Sequence, residues 1–403
     1  MFKSLMKLKK HSSLMIMVLG ALSIFIANVS LRQTLSDDDY YNYSVIVTVL
    51  TLLTSFGALG ADQVFLRLSI VENDQKIIFD KKILYIAIVN TIIMTVLAYI
   101  YLVQIIQVQQ NQIIITIICF SSIWLMLLYN VLRLASLFLI SQIIQNSWKI
   151  LFGIFSILIF FNISFYTFIY EVIACLLSSL VVLTLYFIIS NVQIKLVPLN
   201  KKSEILSFSF HFFLALLTLS FLSQGDRLLI DRMFTKVEFG NYFYLATLFL
   251  FPFSLFQSYI GFKELVYIKA NKINFKRKLK LIFKASLVFS IFLFCVIYIL
   301  SQFQFITVDL NKDLELIIIF IIIGNIKMIY SLFSAVIGAK ARLKDIKKMN
   351  IIFVVVTFIL VLVFINYIED IESLVYLFCA LWFTRLIIWL YFSKAHITNE
   401  SSI

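Results

Sequence analysis

The sequence predicts an all-α polytopic membrane protein with about twelve transmembrane helices, and three observations support this fold class. Hydrophobic residues make up 62% of the 403 residues, whereas a water-soluble protein has roughly 45–50%. They occur in runs of about 20, the length that crosses a hydrocarbon layer of about 30 Å as a helix. The runs lack the alternating polar residues of a membrane β-barrel.

Composition also excludes several classes of protein. The net charge of +13 resides in cations at the ends of hydrophobic runs, which is typical of membrane orientation, so no nucleic-acid partner is predicted. The four cysteines are isolated within hydrophobic runs and the three histidines are scattered, which argues against a disulfide framework, a metal site or a catalytic triad. No Walker loop is present, so ATP is not the predicted energy source, and no cofactor is predicted.

The predicted spans begin near the amino terminus. Lys7, Lys9 and Lys10 precede the first run, which is too long for a signal peptide and has no small-x-small cleavage site after it. We therefore interpret it as a permanent span. The predicted spans are approximately 12–31, 43–66, 83–104, 113–132, 142–162, 166–190, 205–225, 240–261, 281–302, 314–337, 350–367 and 371–392.

The short links between the spans alternate in charge. Positive links stay in the cytoplasm, so both termini are predicted to be cytoplasmic. The amino terminus and the links 67–82, 195–202, 263–284 and 340–348 are rich in lysine, the links 37–39, 309–315 and 369–372 carry acids, and the link 104–112 carries no charge.

Six spans before Lys195 and six after it predict two helical bundles, residues 1–194 and 195–403. An even number of spans in each half means that the repeat is parallel, with its axis along the membrane normal. A local match supports this interpretation, because Asn42 and Tyr43 recur as Asn241 and Tyr242 at a constant spacing of 199 residues. The match lies at the start of the second span of each half.

Several spans carry polar or small residues on one helical face. Membrane helices rarely turn such stripes toward lipid, so these faces should contact each other or water. The alternative is that serine and glycine only let helices pack closely. The stripes are Ser220, Ser223, Gln224, Arg227 and Asp231; Gln142, Gln145, Asn146, Lys149, Gly153 and Ser156; Gly324, Lys327, Ser331, Ser334 and Gly338; and Gly57, Gly60, Gln63 and Arg67.

Charges within the spans are the strongest functional signal, because a charge at the bilayer centre costs about 2.5–3.5 kcal/mol. Arg227 and Asp231 could form an ordinary i,i+4 ion pair. Lys149 and Lys327 have no obvious acidic partner on their own helices, which indicates a cavity that receives an anion. The candidate substrate-binding residues are Arg67, Lys149, Arg227, Lys327 and Arg385, and the candidate ion-coupling acids are Asp62, Glu171, Asp226 and Asp231, for which a structural hydrogen bond is the alternative.

The acids 37–39 in the first external link allow a different interpretation. Membrane glycosyltransferases that use lipid-linked sugars often carry catalytic acids there. Those enzymes and the polysaccharide polymerases need a sizeable external domain, and no predicted external link is much longer than about 15 residues. We therefore interpret this stretch as a solvated loop end, and predict a protein that is not an enzyme.

Three stretches resemble a known family. LSDDDYYNYS and SFGALGADQVFLRL resemble the amino-terminal region of Wzx-type polysaccharide flippases, and GDRLLIDRMFTKVEFGNYFYLA resembles their seventh-to-eighth span junction. This family belongs to the multidrug/oligosaccharidyl-lipid/polysaccharide exporter superfamily. The first-half copy departs from the pattern, since Tyr41 stands where the second half has Gly240.

The resemblance implies two six-helix bundles around a central cavity, working by alternating access in the bacterial cytoplasmic (inner) membrane. The implied substrate is an undecaprenyl-pyrophosphate-linked oligosaccharide repeat unit for O-antigen or capsule. Implied partners are membrane lipid, a polysaccharide polymerase and a chain-length regulator. Arg67, Asp226 and Arg227 carry over by motif position. The alternatives are an ion-coupled drug or small-molecule antiporter of the same superfamily, and a membrane glycosyltransferase or polymerase.

Overall fold

The computed structural model describes residues 2–73, 76–108, 110–197, 202–269 and 275–398, and these are almost entirely helical. Twelve of the described helical segments are long and apolar enough to cross a membrane, so the chain is a multi-pass membrane protein. Contacts divide it into two compact units, Met1–Ser220 and Phe221–Ile403, here called unit 1 and unit 2. The division falls inside one helix, whereas the predicted halves meet in the link before it; the predicted domains stay a prediction.

The helices and strands follow one another closely. In order they are α1 Phe2–Thr34, α2 Asp37–Phe56, α3 Ala61–Leu68, β1 Ile70–Asn73, β2 Lys76–Phe79, α4 Lys81–Tyr99, α5 Gln112–Leu134, α6 Phe138–Phe161, α7 Ile169–Asn191, β3 Gln193–Leu196, α8 Lys202–Met233, α9 Lys236–Lys269, α10 Phe275–Gln302, α11 Leu314–Lys340, α12 Leu343–Phe364 and α13 Ile371–Thr398. A π-helical segment, Ile100–Ile105, extends α4, and a 3₁₀ segment, Ile163–Phe168, leads into α7.

Each unit has one central helix, and these helices occupy matching places. In unit 1, α5 packs against α6 and against α2, α4 and α7, which are the second, third and sixth spans. In unit 2, α11 packs against α9, α10 and α13, the equivalent spans of that half. The shared pattern of neighbours agrees with a parallel repeat of two six-span halves.

The second span is two helices rather than the single predicted span 43–66. The chain turns between α2 and α3, where Leu59 and Gly60 adopt left-handed φ angles of 47° and 78°. Gly60 also lies against α8, because a Cβ there would come within 2.5 Å of the Ser209 carbonyl oxygen. Both the backbone angle and this close approach require glycine. At the break, the Asn90 side chain donates a hydrogen bond to the Ala58 carbonyl at 3.0 Å.

A small sheet, for which the sequence analysis made no prediction, lies in the links after α3 and after α7. β1 and β2 form an antiparallel hairpin between α3 and α4, and β3 pairs with β2 in parallel after α7. Ile77 of β2 is fully buried in an apolar cluster with Ile188 and Ile205. The otherwise all-α fold thus includes three four-residue strands, which anchor the link after α7 to unit 1.

The sequence match between the halves has the same structural role in both. Ser36 caps α2, since its hydroxyl accepts the Asp39 amide at 3.2 Å and donates to the Asp39 carboxylate at 2.7 Å. Thr235 and Glu238 repeat this at the start of α9, with distances of 3.3 and 2.7 Å. Reciprocal capping satisfies amides that a helix start leaves unpaired. The matched stretch therefore encodes a helix start in each half.

Candidate functional site

Lys327 lies at the middle of α11 and is buried, with 5% of its surface exposed. Its ammonium group lies 4.9 Å from the centre of the Trp382 ring of α13. The Trp382 ring is held in turn, because its Nε1 donates to the Leu222 carbonyl of α8 at 3.0 Å. A cation over a desolvated aromatic face gains about 2 kcal/mol. Lys327 makes no ion pair within 4 Å among the described residues.

Lys327 does have charged neighbours, and both come from α8. It interacts electrostatically with Asp226 and Arg227. Asp226 is buried, and one carboxylate oxygen accepts a hydrogen bond from the hydroxyl of Tyr242 on α9. Its other oxygen has no hydrogen-bond partner among the described residues. The sequence analysis found no acidic partner for Lys327 on α11, and the structure places one, Asp226, on a different helix.

Arg227 completes the group. Its guanidinium carbon lies 4.7 Å from the centre of the Phe243 ring of α9. We call Asp226, Arg227 and Lys327 the Lys327 cluster. Because it contains two cations and one acid, the cluster has a net positive charge. A positively charged group packed against aromatic rings is suited to bind an anion, because a low-dielectric setting strengthens the attraction between the cations and the anion.

Arg385 of α13 lies within an aromatic box. Its guanidinium carbon is 4.3 Å from the Trp389 ring centre and 4.9 Å from that of Phe353 on α12. Its Nε donates to the hydroxyl of Tyr330 on α11 at 3.0 Å. Arg385 is 3% exposed, and Nη1 has no hydrogen-bond partner among the described residues. A buried donor left unpaired costs about 1–3 kcal/mol, so an acceptor at Nη1 would be stabilising.

One aromatic cluster links Arg385 with Lys327. The Tyr330 ring lies 5.7 Å from the Trp382 ring and 5.6 Å from the Trp389 ring. On α13, Trp382, Arg385 and Trp389 follow at three- and four-residue steps, which places them on one helical face. That spacing is visible in the sequence, although only the arginine is among the residues predicted from it.

In unit 1, the stripe on α6 is mostly a packing surface. A Cβ on Gly153 would lie 2.7 Å from the Ser23 Cβ of α1, and a Cβ on Gly20 of α1 would lie 2.6 Å from the Asn146 side chain. These contacts favour the close-packing alternative for this stripe. Lys149, at the middle of α6, is half-buried, and its ammonium group lies 6.0 Å from the ring of its neighbour Trp148.

The remaining candidates have separate surroundings. Asp62 is 1% exposed at the start of α3; one oxygen accepts from the Gln63 amide at 2.7 Å, and the other has no partner among the described residues. Arg67 is exposed at the end of α3, 6.0 Å from the Phe212 ring. Glu171, in the first turn of α7, and Asp231, near the end of α8, are half-buried.

Comparisons with known proteins give no sequence match, either to a family model or to a curated protein. Solved structures do match. The lipid II flippase MurJ in an inward closed conformation gives a TM-score of 0.69 at 16% identity, covering 96% of this chain and 87% of that one. An outward-facing multidrug resistance MATE transporter of the MOP superfamily gives 0.58 at 11% identity, covering 97% and 95%. MATE in the bent conformation gives 0.55 at 12% identity, covering 97% and 94%.

The chain has the fold of these transporters. The predicted all-α polytopic class with twelve spans is therefore confirmed. At identities of 16% and below, the likeness establishes the fold and leaves the substrate to the chemistry of the site. The fold is common to flippases and to multidrug transporters, so the two leading alternatives from the sequence both remain open.

Proposed function

We propose that this chain is a transporter of the MOP superfamily that flips an undecaprenyl-pyrophosphate-linked oligosaccharide for surface polysaccharide synthesis. The observation that carries the proposal is the Lys327 cluster. Lys327 lies mid-helix in a membrane protein, buried, with a net positive neighbourhood and no ion pair within 4 Å among the described residues. A cation kept in this state is costly unless an anion arrives to neutralise it.

The physical demands of such a substrate suit these residues. A pyrophosphate and several sugars must leave water, and an unpaired charge in lipid costs many kcal/mol. Lys327 and Arg227 would supply the counter-charge, and the unpaired Nη1 of Arg385 would donate a further hydrogen bond. The polyprenyl tail would stay in lipid throughout. In this proposal the termini are cytoplasmic, the membrane is the bacterial inner membrane, and a polymerase and a chain-length regulator act next.

The test uses a strain deleted for the gene, in which surface polysaccharide and the cytoplasmic lipid-linked repeat unit are both quantified. Wild type should restore export, and Lys327→Met, which keeps the length of the side chain, should not. Loss of one charge-assisted hydrogen bond of about 1.5–3 kcal/mol predicts a fall in export of about 10- to 100-fold. Lys312→Met is the matched control, since Lys312 is exposed in the link before α11.

Two outcomes would contradict the proposal. Wild-type export from Lys327→Met at normal abundance would rule out an anion site at Lys327. Loss of chain length alone, with single units still reaching the surface, would indicate a polymerase.

An ion-coupled antiporter for small molecules is the second candidate, and the buried acids favour it. Asp62 and Asp226 each keep one buried carboxylate oxygen without a hydrogen-bond partner among the described residues. Such an oxygen can take a proton or a sodium ion during a transport cycle. This candidate would be favoured if the deletion strain made normal polysaccharide but became sensitive to cationic dyes. The Asp62→Asn variant should then fail to relieve that sensitivity.

A further inference from the structure

Unit 2 carries basic side chains in regular rows at one end of α10 and of α12. On α10, Lys276, Lys280 and Lys284 are exposed and follow at four-residue steps. On α12, Lys344 and Lys348 are exposed and repeat the step. Residues four apart lie above one another on a helix, so each set is a row along one face. We call these two sets the lysine rows.

Each row continues directly into a strongly exposed apolar face. On α10, the same face continues with Val288 and Ile291, each 67% exposed. On α12, Ile351 and Val355 continue the row and are also exposed. In a membrane protein an exposed apolar helix face contacts lipid chains, so the lysine rows lie on the lipid side of their helices, where the apolar face ends.

The two rows belong to the same end of unit 2. Phe275, in the first turn of α10, packs against the apolar cluster of Ile268, Ala335 and Val336, and its ring centre lies 5.5 Å from that of Phe333 on α11. The last turn of α11 leads at once into α12. Basic residues outnumber the acids near these rows: Glu264 is buried and accepts from Lys278 at 2.9 Å, and Asp345 is half-buried.

The equivalent helices of unit 1 are far less basic. α4 begins with Lys81 and Lys82, and its exposed face already has Tyr85 one turn later. α6 begins at Phe138 and has no basic residue before Lys149 at its middle. The general excess of cations on one side of a membrane protein would not by itself concentrate them in one unit.

We propose that the lysine rows bind the headgroups of anionic phospholipids in the adjoining leaflet. The row from Lys276 to Lys284 is about 12 Å long at about 1.5 Å per residue, which is longer than one phosphate and spans more than one headgroup. Basic residues next to a membrane span attract anionic lipid, each by about five-fold in affinity. The proposal is independent of what the chain transports.

The test is the selectivity of the full chain for spin-labelled phosphatidylglycerol over spin-labelled phosphatidylcholine in reconstituted membranes, measured by electron paramagnetic resonance. The triple variant K276Q/K280Q/K284Q should lower the selectivity at least about five-fold. The charge-conserving variant K276R/K280R/K284R should keep it. Raising the salt concentration to 1 M should lower it in wild type, because the screening length falls to about 3 Å.

Three results would overturn the proposal. Unchanged selectivity in the glutamine variant would show that the row does not bind anionic lipid. Equal loss in the arginine variant would show that charge is not the cause. Displacement of phosphatidylglycerol by millimolar inorganic pyrophosphate would indicate a site for soluble anions instead. Thermal unfolding checks that the variants fold, and K344Q/K348Q with K344R/K348R repeats the test if the first row is needed for folding.

Discussion

Helix α6 of unit 1 and helix α11 of unit 2 contain the same two residue types at their centres and use them differently. Each has a lysine and a glycine on one face, Lys149 with Gly153 and Lys327 with Gly324. Both glycines are closely packed, against Ser23 of α1 and the Phe253 ring of α9 respectively. The lysines differ. Lys149 is half-buried beside its neighbouring tryptophan, whereas Lys327 is buried among groups from α8 and α13.

The difference shows that a polar stripe acquires its chemistry from the helix it faces. α1 offers Gly20 and Ser23 to α6, and small residues allow two backbones to approach without binding a charge. α13 and α8 offer Trp382 and Asp226 to α11. Among the residues the structure describes, buried lysine or arginine occurs in unit 2 alone, as Lys327 and Arg385.

The largest expected effect comes from disrupting the close contact between α1 and α6 in unit 1. Gly153→Ala places a methyl group 2.7 Å from the Ser23 Cβ and 2.8 Å from its carbonyl oxygen, so α1 and α6 must separate. We expect destabilisation of about 1–3 kcal/mol, and loss of the folded protein for Gly153→Leu. Thermal unfolding in detergent and membrane abundance measure both.

Gly261→Ala is the matched control for this substitution. Gly261 lies in α9, and a Cβ there meets nothing within 4 Å. Alanine is the better helix former by about 0.5–1 kcal/mol, so this variant should be as stable as wild type or slightly more stable. Equal behaviour of the two alanine variants would mean that α1 and α6 are not in close contact at Gly153.

A smaller effect is expected from a substitution next to the Lys327 cluster of unit 2. Tyr242→Phe removes the hydroxyl that donates to Asp226, and leaves a buried carboxylate without a hydrogen bond. We expect a cost of about 1–2 kcal/mol in thermal unfolding. Tyr298→Phe, at an exposed tyrosine of α10, should cost almost nothing. The Tyr242→Phe effect should shrink in an Asp226→Leu background, and an undiminished effect there would contradict a Tyr242–Asp226 bond.

The sequence predicted the helices well because a span is a local property. Runs of about 20 apolar residues were sufficient to locate all twelve spans. The break at Gly60 was less visible, since it depends on the approach of Ser209, far along the chain. The pairing of β2 with β3 is non-local in the same way, and four-residue strands give little periodicity of their own.

The site shows the same division between local and non-local information. Lys327 could be selected from its position and from the lack of an obvious acidic partner on its helix. Its partners Trp382 and Asp226 belong to other helices, so no spacing within α11 indicates them. Tyr242 itself is identified by the sequence, because it belongs to the repeated motif. The motif was interpreted as a trace of duplication, and the hydrogen bond to Asp226 was not foreseen.

The smallest expected effect concerns Asp313, a half-buried acid that directly precedes α11 in unit 2. Partial burial raises the pKa of Asp313, Lys312 opposes the shift, and Asp309 and Glu372 add to it. Because the folded pKa is raised, the carboxylate costs stability above that pKa, and the cost disappears as pH falls below the ordinary value of about 3.9.

Asp313→Asn should therefore raise the free energy of unfolding at neutral pH by no more than about 0.5 kcal/mol. A slight rise in the unfolding temperature would show it. The gain should vanish as the pH falls from the raised value toward the ordinary one. Glu369→Gln is the control, since it removes an equal charge from an exposed position. A gain that persists at low pH would mean that the asparagine side chain itself, rather than loss of a half-buried charge, stabilises the start of α11.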